Sequence, residues 1–389
     1  MTPRLRLGVA GLGRAFMLML PTLAHHPRVT LAGCADPRAE ARARFAQDFG
    51  GTAHESFEAL CDDPDVAAIY LATPHQHHAA QAIRAARAGK PVLVEKPMAL
   101  TLAEAAAMGE AHARAGTALM LGHSHGQDAP VRHARRLIAE GRTGAPRLIT
   151  ALNSTDFLWR PRRPEELDTA QGGGVVFSQA AHQLDVIRVL SGGRLRGIRA
   201  HAMPGRGTEG AYAAFIPFED GAATATYSGF GRYDSDALLG WIGELGAPKA
   251  PTTPGAARAR LDTAREAKDK AARGYGGAGH APGLPPAAAP AHHNHFGFVL
   301  VQCDHADLRV TADGVELHDD TGLHRLHTPL PALPRAEVID EFCAAVLDGI
   351  APRHDGAWGL GTLEACLGLL DSLRTGRETA LHHQGRFRD

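Results

Sequence analysis

The chain of 389 residues lacks three features that would place it in other classes of protein. It has no excess of charge of either sign, because 41 basic residues balance 42 acidic ones. We therefore expect neither nucleic acid nor an anionic membrane surface as a partner. Aromatic residues make up only 5% of the chain, too few for a surface on which bases stack. No apolar run approaches the roughly 18 residues of a membrane span, so no membrane insertion is expected.

Cysteine is also scarce. The five cysteines are scattered and none forms a CxxC pair, so no zinc knuckle or disulfide framework is indicated. A reducing cytoplasm fits this usage best. Arg4 and Arg6, followed by apolar residues up to Ala24, imitate a secretory signal, but Arg14 interrupts that run. We expect a cytoplasmic protein.

Residues 1–125 alternate short apolar strands with alanine-rich helical segments. The expected strands are Leu5–Gly11, Val29–Cys34, Ala67–Thr73, Pro91–Val94 and Ala118–Gly122. The expected helices include Ala79–Ala88 and Leu102–Ala115. Strict alternation of strand and helix is typical of a parallel sheet covered on both faces. We predict a doubly wound, Rossmann-like α/β domain over 1–125.

From 126 to 389 the pattern changes to strands joined by short turns, which predicts an α+β domain with a mainly antiparallel open sheet. The expected strands are 147–155, 195–203, 210–218, 221–230, 296–303 and 307–311. The expected helices are Val131–Glu140, 182–190, 335–349 and 358–375. Residues 248–291 form an insertion rich in alanine, proline and glycine, in which Ala256–Arg273 is expected to be a solvated helix. We predict this insertion to be partly mobile and to have no chemistry of its own.

A glycine turn after the first strand suggests a dinucleotide site. Gly11 permits the tight turn, and Gly13 lets the backbone approach a pyrophosphate at the start of the helix that Arg14 begins. Phe16 replaces the third glycine of GxGxxG, so helix and strand cannot touch closely there. Asp36 closes the second strand, where its carboxylate can accept hydrogen bonds from both ribose hydroxyls. A glycine turn without a ligand is the alternative.

The same residues bear on the choice of cofactor. A 2′-phosphate would meet the negative charge of Asp36, so we expect NAD rather than NADP. Arg38, two residues further on, could receive that phosphate, so NADP is not excluded.

Two further segments follow the third and fourth strands. Thr73-Pro74 with His78 follows one strand, and Glu95-Lys96-Pro97 follows the other. Ligands of open parallel sheets bind outside the carboxyl ends of the strands, so both segments are placed to face a cofactor. The backbone of Lys96 is held extended by the following proline, and its side chain could reach a substrate hydroxyl.

These motifs together resemble the Gfo/Idh/MocA family of NAD(P)-dependent oxidoreductases. The glycine turn, Ala72-Thr73-Pro74 with His78, and Glu95-Lys96-Pro97 are joined by a fourth match over 172–185. That stretch, GGGVVFSQAAHQLD, is similar to the family's GGG…D-x-G-x-H-x-x-D segment, and the resemblance spans nearly the whole chain outside the insertion. The variant VFSQAAHQ, with the WRPRRPEE stretch before it, resembles the branch that contains 4,5-dihydroxy-4,5-dihydrophthalate dehydrogenases.

The resemblance implies roles for particular residues. Lys96 would be the catalytic lysine and His182 the catalytic histidine. Glu95 and Pro97 would frame the lysine, and His78 would lie near the nicotinamide. The cofactor-binding set expected overall is Gly11, Gly13, Arg14, Asp36, Arg38, Thr73, Pro74, His78, Glu95 and Lys96.

One departure from the family pattern concerns chemistry. Ser178 stands where the family has an aspartate four residues before the histidine, and we count it with the catalytic residues. The pKa of a free lysine side chain is ~10.4. A neighbouring aspartate would stabilise the ammonium form of Lys96 and so oppose its use as a base. The serine also removes an anion that would repel a negatively charged substrate.

Arginines near this segment fit an anionic substrate. Guanidinium groups suit carboxylates, so Arg160, Arg162 and Arg163 are expected to bind substrate, although a solvated loop is an equal alternative. The remaining expected substrate-binding residues are Gln179, His123 and His125.

The 23 histidines invite a metal site. The groups at 75–78 and 123–125 both follow strand ends and could meet, but no carboxylate ligand stands beside them and a metal would leave the dinucleotide signals unexplained. We expect no metal. The groups at 292–295 and 382–383 are expected on the surface.

The sequence thus predicts an NAD-dependent dehydrogenase acting on a small molecule, with its active site between two domains and Lys96 as general base. The expected substrate is a carboxylated cis-dihydrodiol resembling 4,5-dihydroxy-4,5-dihydrophthalate, oxidised to a catechol. A sugar or cyclitol dehydrogenase is the alternative within the class, and a non-catalytic NAD-binding sensor is the alternative outside it. In the resembled family an open antiparallel sheet commonly serves as a subunit face, so a homo-oligomer is expected through the second domain.

Overall fold

The computed structural model describes residues 3–122, 124–279 and 288–389. The chain divides into two compact units. The first comprises Met1–Gly122, Ala264–Ala289 and Pro331–Leu360, and the second comprises His123–Thr263, Pro290–Leu330 and Gly361–Asp389. This division differs from a single boundary at residue 125, because two later segments pack with the first unit.

The first unit is built on a parallel sheet. Its strands are β1 (Leu5–Ala10), β2 (Val29–Ala35), β3 (Thr52–His54), β4 (Ala68–Leu71), β5 (Val92–Val94) and β6 (Leu119–Leu121). Within the described ranges they form one six-stranded sheet in the order β3-β2-β1-β4-β5-β6. The strand order reverses between β1 and β4, and ligands of such sheets bind outside the strand ends at this switch point.

Helices follow most of these strands. Along the described parts of the chain the helices are α1 (Arg14–His25), α2 (Ala39–Phe49), α3 (Phe57–Asp62), α4 (His78–Arg87), α5 (Leu102–Ala115), α6 (Ser124–Gln127), α7 (Ala129–Ala139), α8 (Ala181–Ser191), α9 (Ala256–Arg260), α10 (Glu266–Ala272), α11 (Ala336–Leu347) and α12 (Gly356–Thr375). The core of the first unit packs β1, β2 and β4 against α1, α2 and α11, with Phe16, Phe45 and Phe342 fully buried. Apolar residues on both faces of these strands explain why the sheet is covered on both sides.

The second unit is built on a mainly antiparallel sheet. Its strands are β7 (Pro146–Ser154), β8 (Gly197–Pro204), β9 (Glu209–Phe218), β10 (Gly221–Ser228), β11 (Phe298–Cys303), β12 (Asp307–Thr311), β13 (Gly314–Asp319), β14 (Gly322–His327) and β15 (Thr379–Ala380). In the part of the chain that the structure describes, their order is β14-β13-β12-β11-β7-β10-β9-β8-β15. Only the pair β7 and β10 is parallel among these described pairings. Helices α7 and α8 pack on one face. The predicted fold class is confirmed.

The insertion differs from its prediction. Ala256–Arg273 is not one solvated helix: it contains the two short helices α9 and α10, separated by Leu261–Arg265. After α10, Tyr275 is fully buried in the core of the first unit, so this part of the insertion is structural. Residues 280–287 of the insertion lie outside the described residues. None of the helices in the described ranges has the length and apolar character that a membrane span needs.

Candidate active site

The glycine turn after β1 has the geometry that a dinucleotide requires. Gly11 has a φ of +88°, and a Cβ there would lie 2.7 Å from the carbonyl oxygen of Ala72. The turn therefore packs directly on the end of β4, and only glycine fits. A Cβ on Gly13 would meet nothing within 4 Å, which leaves open space before α1, whose exposed first residue is Arg14. The space and the helix start together fit a bound pyrophosphate.

Asp36 follows β2 as predicted and is nearly buried. Its carboxylate accepts a hydrogen bond of 2.8 Å from the backbone N–H of Leu12, in the glycine turn. Arg38 also donates to this carboxylate, from Nε at 2.9 Å. The position suits the ribose of a dinucleotide, but an arginine already covers the carboxylate.

The segment after β4 is fixed by a buried histidine. His78, at the start of α4, places Nε2 at 3.0 Å from the carbonyl oxygen of Thr73 and Nδ1 at 2.9 Å from that of Pro97. Its ring is completely buried, and burial lowers the pKa of His78. The hydroxyl of Thr73 donates to Gln81 at 2.6 Å. His78 therefore joins the ends of β4 and β5 and positions the residue that follows Lys96.

Glu95 and Lys96 leave the end of β5 half-buried, and the bond from Lys96 to Pro97 is cis. The hydroxyl of Tyr70, a buried residue of β4, donates to Glu95 Oε1 at 2.6 Å. Burial and the neighbouring Glu95 raise the pKa of Tyr70, so it stays a neutral donor. This bond fixes the carboxylate directly beside the candidate base.

Replacing Tyr70 by phenylalanine is expected to lower the free energy of unfolding by about 1–3 kcal/mol, because the Glu95 carboxylate loses its donor. Chemical denaturation measures this change. Tyr233→Phe is the matched control, since Tyr233 is 52% exposed and its hydroxyl makes no described bond. Equal losses in the two variants would refute the assigned role of Tyr70.

In the second unit, three glycines bring an arginine-bearing loop close to the start of α8. A Cβ on Gly173 would lie 2.6 Å from the carbonyl oxygen of Glu165, and Gly174 has a φ of +81°. The chain then forms a π-helical turn over Val176–Ala180 before α8 begins. Such turns occur frequently at functional sites. The turn carries Ser178 and Gln179, both half-buried, and leads to His182 in the first turn of α8.

His182 is 9% exposed and lies among aromatic rings. Its ring meets that of His125 edge-on at 4.8 Å between centroids, and that of Phe296 at 5.2 Å. The ring of Tyr227 stacks nearly parallel to Phe296, at 6.4 Å and 12°. These rings form an aromatic group around His182, consisting of His125, Tyr227 and Phe296.

Two carboxylates stabilise the protonated, positively charged form of the His125 imidazole. Its Nδ1 lies 2.9 Å from Asp128, and its Nε2 lies 3.4 Å from Glu244. Burial alone would lower the pKa of His125, but the two carboxylates raise it to about 9. An imidazolium that is paired with two carboxylates therefore stands beside His182 at neutral pH.

The three arginines before the glycine turn differ in their surroundings. Arg160 is 45% exposed and pairs with Asp156 at 2.7 Å. The guanidinium of Arg162 stacks on the ring of Phe157 at 3.7 Å. Burial and the nearby Arg160 lower the pKa of Arg162 to about 10, so it stays charged at neutral pH. Arg163 pairs with two glutamates, Glu165 at 3.1 Å and Glu166 at 3.5 Å.

Of the remaining histidines, His382 and His383 are exposed as expected, whereas two others serve the fold. His293 and His295, expected on the surface, are buried, and their Nε2 atoms lie 2.9 Å from the Thr328 carbonyl and 2.8 Å from the Ile242 carbonyl. That expectation is wrong because the segment before β11 packs against the backbone at Ile242 and Thr328. His123 lies outside the described residues. Among those that are described, no group of three or more His, Cys, Asp or Glu is placed to hold a metal ion.

Sequence reasoning missed several residues that shape the site: Tyr70, Asp128, Tyr227, Glu244 and Phe296. Asp128 had a usable signal, because a carboxylate three residues after a histidine on a helical stretch shares its face. Glu244 and Phe296 had none, since they reach His125 across gaps of more than a hundred residues in the chain.

Comparison with known proteins agrees with this geometry. The model of the Gfo/Idh/MocA oxidoreductase family, described as an NAD-binding Rossmann fold, matches residues 5–123. The model of the Gfo/Idh/MocA C-terminal domain matches residues 131–243. A dehydrogenase from Comamonas testosteroni, named for 1-carboxy-3-chloro-3,4-dihydroxycyclohexa-1,5-diene, is 44% identical over 376 residues, which cover 94% of each chain.

Two further likenesses are informative. The crystal structure of a Bordetella bronchiseptica RB50 protein, assigned as a dehydrogenase, superposes with a TM-score of 0.89 at 35% identity, covering 97% of this chain and 100% of that one. The NAD(+)-dependent scyllo-inositol 2-dehydrogenase of Bacillus subtilis (strain 168) is 27% identical over 57% of this chain and 66% of its own length.

The chain belongs to the Gfo/Idh/MocA family of oxidoreductases. It is an NAD-dependent dehydrogenase, and residues 5–123 carry its NAD-binding Rossmann fold. The open turn at Gly13 and the position of Asp36 fit this cofactor.

Proposed function

We propose that the chain oxidises a carboxylated cis-dihydrodiol of a six-membered ring to a catechol, with NAD as the hydride acceptor. The observation that carries this proposal is the 44% identity, across 94% of both chains, with a dehydrogenase named for a carboxylated dihydroxycyclohexadiene. A dicarboxylate such as 4,5-dihydroxy-4,5-dihydrophthalate is the specific substrate that we propose.

The reaction removes a hydride from one carbinol carbon and a proton from its hydroxyl, which leaves a ketone. Bound NAD supplies the hydride acceptor. Lys96 takes the hydroxyl proton as general base, from its position at the end of β5. The proton on the second carbinol carbon then moves to the ketone oxygen, and the ring becomes a catechol. Aromatisation favours the overall oxidation.

His182 and its aromatic group suit such a substrate. The rings of Phe296 and Tyr227 are buried, so they support the imidazole of His182 and leave His182 itself to meet the substrate. We assign His182 to hold the second hydroxyl or to share in the proton transfer. Ser178 adds no negative charge beside it, which favours an anionic substrate over a neutral one. The positive charge of His125 is offset by Asp128 and Glu244 and adds nothing to this preference.

We assign the binding of the substrate carboxylate mainly to Arg160. Its side chain is 45% exposed, and its one described ion pair, with Asp156, leaves further N–H donors for a ligand. Arg162 contributes charge from its stacked position on Phe157. Arg163 is held by two glutamates, so we expect the smallest contribution from it. Gln179, His123 and His125 remain proposed substrate-binding residues.

A cyclitol or sugar dehydrogenase is the second candidate. The likeness to scyllo-inositol 2-dehydrogenase favours it, although that match covers only part of each chain. It would leave the exposed guanidinium of Arg160 without a role in substrate binding.

A substrate panel separates these functions. The purified protein is given NAD with a dicarboxylated dihydrodiol, a monocarboxylated one, a dihydrodiol without carboxylates, or myo-inositol, and nicotinamide reduction is followed. We expect kcat/KM for the carboxylated substrates to exceed that for the uncarboxylated dihydrodiol by at least about a hundredfold. Arg160→Ala should shrink this preference, while Arg194→Ala, which removes an exposed arginine of the second unit paired with Glu219, should not.

Other outcomes of the panel contradict the proposal. Faster reduction with myo-inositol would identify a cyclitol dehydrogenase. No reduction with any substrate, together with tight NAD binding, would identify a cofactor-binding sensor.

We also propose cytoplasmic residence and a homo-oligomer formed through the sheet of the second unit. Leu148, Met203 and Phe215 are each at least half exposed on β7, β8 and β9, and the strand registers place them on one face. Three large apolar side chains on one sheet face are consistent with a subunit contact.

A further inference from the structure

The insertion contributes a segment to each of the two units. From Ala264 onward it packs with the first unit, where the carbonyl oxygen of Tyr275 accepts a hydrogen bond of 3.2 Å from Arg38 Nη1. The part before Ala264, which carries α9, belongs to the second unit. That unit also contains His182 and the arginine-bearing loop, residues 155–163. The contacts of α9 therefore bear on the proposed carboxylate site.

Side-chain bonds anchor the start of the insertion to the second unit. Lys249 Nζ lies 2.7 Å from Asp234 Oδ2, and the hydroxyl of Thr252 donates to the same oxygen at 3.0 Å. Asp234 belongs to the segment that begins at Phe230. The carbonyl oxygen of Phe230 accepts a hydrogen bond of 2.8 Å from Trp159 Nε1. One short segment thus holds both the start of the insertion and an indole of the arginine-bearing loop.

An arginine of α9 lies on this indole. Cζ of Arg258 is 4.0 Å from the centre of the Trp159 ring. The attraction between a guanidinium and an aromatic face holds the cation without using any of its N–H donors. Arg258 is exposed, and its guanidinium forms no hydrogen bond or ion pair with the described residues. Its five N–H groups are therefore available to an anionic ligand.

The loop places this cation next to the proposed carboxylate site. Trp159 directly precedes Arg160, to which we assign the substrate carboxylate. The loop begins at Thr155, whose hydroxyl lies 2.7 Å from that of Tyr227, a member of the aromatic group around His182. Two guanidinium groups thus stand at consecutive positions of a loop that begins at this aromatic group.

The two cations differ in how many donors they offer. The Nε of Arg160 is engaged by Asp156 at 2.7 Å, whereas Arg258 is held by its face alone. Each carboxylate of a dicarboxylated ring carries a full negative charge and pairs best with a guanidinium of its own. Arg160 can serve the first carboxylate, and Arg258 can serve the second.

We propose that Arg258 binds the second carboxylate of a dicarboxylated substrate, beside the carboxylate that Arg160 binds, so that the insertion makes the protein selective for dicarboxylates over monocarboxylates. Arg258 is the specificity-determining residue, and Trp159 is a positioning residue that acts through it. This inference rests on the proposed function, because only a carboxylated substrate needs such a site.

Binding of two catechols tests the proposal without any turnover. The catechol 4,5-dihydroxyphthalate has two carboxylates, and 3,4-dihydroxybenzoate has one. Their dissociation constants are measured by titration calorimetry on the intact protein saturated with NADH. We expect the dicarboxylate to bind at least about tenfold more tightly, and Arg258→Ala should reduce this ratio to within about twofold. Arg260→Ala, which removes another exposed arginine of α9, is the matched control and should leave the ratio unchanged.

The positioning role of Trp159 has its own test. Trp159→Leu, which removes the aromatic face, should lower the ratio in the same way as Arg258→Ala. Trp159→Phe keeps a ring under the guanidinium and should retain most of the preference. In the background of Arg258→Ala, adding Trp159→Leu should leave the ratio unchanged. If Trp159→Leu fails to fold, the ratio of Arg258→Ala decides alone.

Three results would overturn the inference. Equal affinities of the unaltered protein for the two catechols would show that no second carboxylate is read. An unchanged ratio in Arg258→Ala, with a lowered free energy of unfolding, would assign Arg258 only to holding the insertion. Both results leave the proposed function intact. Failure of either catechol to bind at all would contradict the carboxylate site at Arg160 as well, and with it the proposed function.

Discussion

Replacing Lys96 by alanine is expected to lower kcat/KM for the carboxylated dihydrodiol by about 10²–10⁴-fold, while NADH binding stays within about twofold of the unaltered protein. The reason is that the hydroxyl proton loses its acceptor, whereas the other nine residues of the expected cofactor-binding set are left in place. Steady-state kinetics and NADH titration measure the two effects separately. Added primary amines should restore part of the lost rate, because they can take the proton in the space that the side chain leaves.

Lys268→Ala is the matched control for this experiment. Lys268 is exposed on α10, remote in sequence from the strand ends, and its removal should leave kcat/KM unchanged. Full turnover in Lys96→Ala, with cofactor still bound, would exclude the lysine as the base. A loss of rate that amines cannot restore, accompanied by weaker NADH binding, would assign Lys96 to cofactor positioning instead.

Replacing Asp128 by asparagine is expected to lower the free energy of unfolding at pH 6.5 by roughly 2–3 kcal/mol. The pKa of His125 is raised to about 9 in the folded protein, chiefly by Asp128 and Glu244 against the opposing effect of burial. A raised histidine pKa stabilises the folded state fully below the unfolded pKa of about 6.5. This stabilisation is lost as the pH rises through 9. Between pH 6.5 and pH 10 the two proteins should therefore differ most at pH 6.5 and least above pH 9.

Chemical denaturation across this pH range measures the difference. Asp313→Asn is the matched control, because Asp313 pairs with His292 at 2.7 Å but is 65% exposed, and solvent screens that pair. A difference between Asp128→Asn and the unaltered protein that stays constant from pH 6.5 to pH 10 would contradict a charged His125. A change at Asp313 as large as that at Asp128 would also contradict it.

The parts of the fold that could be predicted from sequence are those with strong local signals. The helix α5 has the predicted bounds because Thr101 and Glu104 form a capping box at its start and Gly116 adopts a left-handed conformation at its end. The strand β3 has only three residues and mostly exposed side chains, so no apolar pattern marked it. The strand β14, which forms a hairpin with β13, is exposed along nearly its whole length, so it too had no apolar pattern.

The residues of the site also include some that could be predicted from the sequence and some that could not. Gly11 and Asp36 could be predicted because the glycine turn and the end of the strand are each recognised from residues that are neighbours in the sequence. The covering of Asp36 could not, since it depends on Tyr275, which lies 237 residues from Arg38 along the chain. An alanine- and glycine-rich composition concealed one buried tyrosine and led to the interpretation of the insertion as partly mobile and without chemistry of its own. Long-range contacts of this kind leave no periodic signal in a single sequence.

The central claim is that this protein transfers hydride from a carbinol carbon of a carboxylated dihydrodiol to NAD and yields a catechol. The most direct measurement uses a carboxylated cis-dihydrodiol deuterated at both carbinol carbons, with the purified protein and NAD, and analyses both products by mass spectrometry and NMR. The account predicts one deuterium on the reduced nicotinamide ring and a catechol that retains its carboxylate. Reduced nicotinamide without deuterium, or no catechol despite bound NAD, would contradict it.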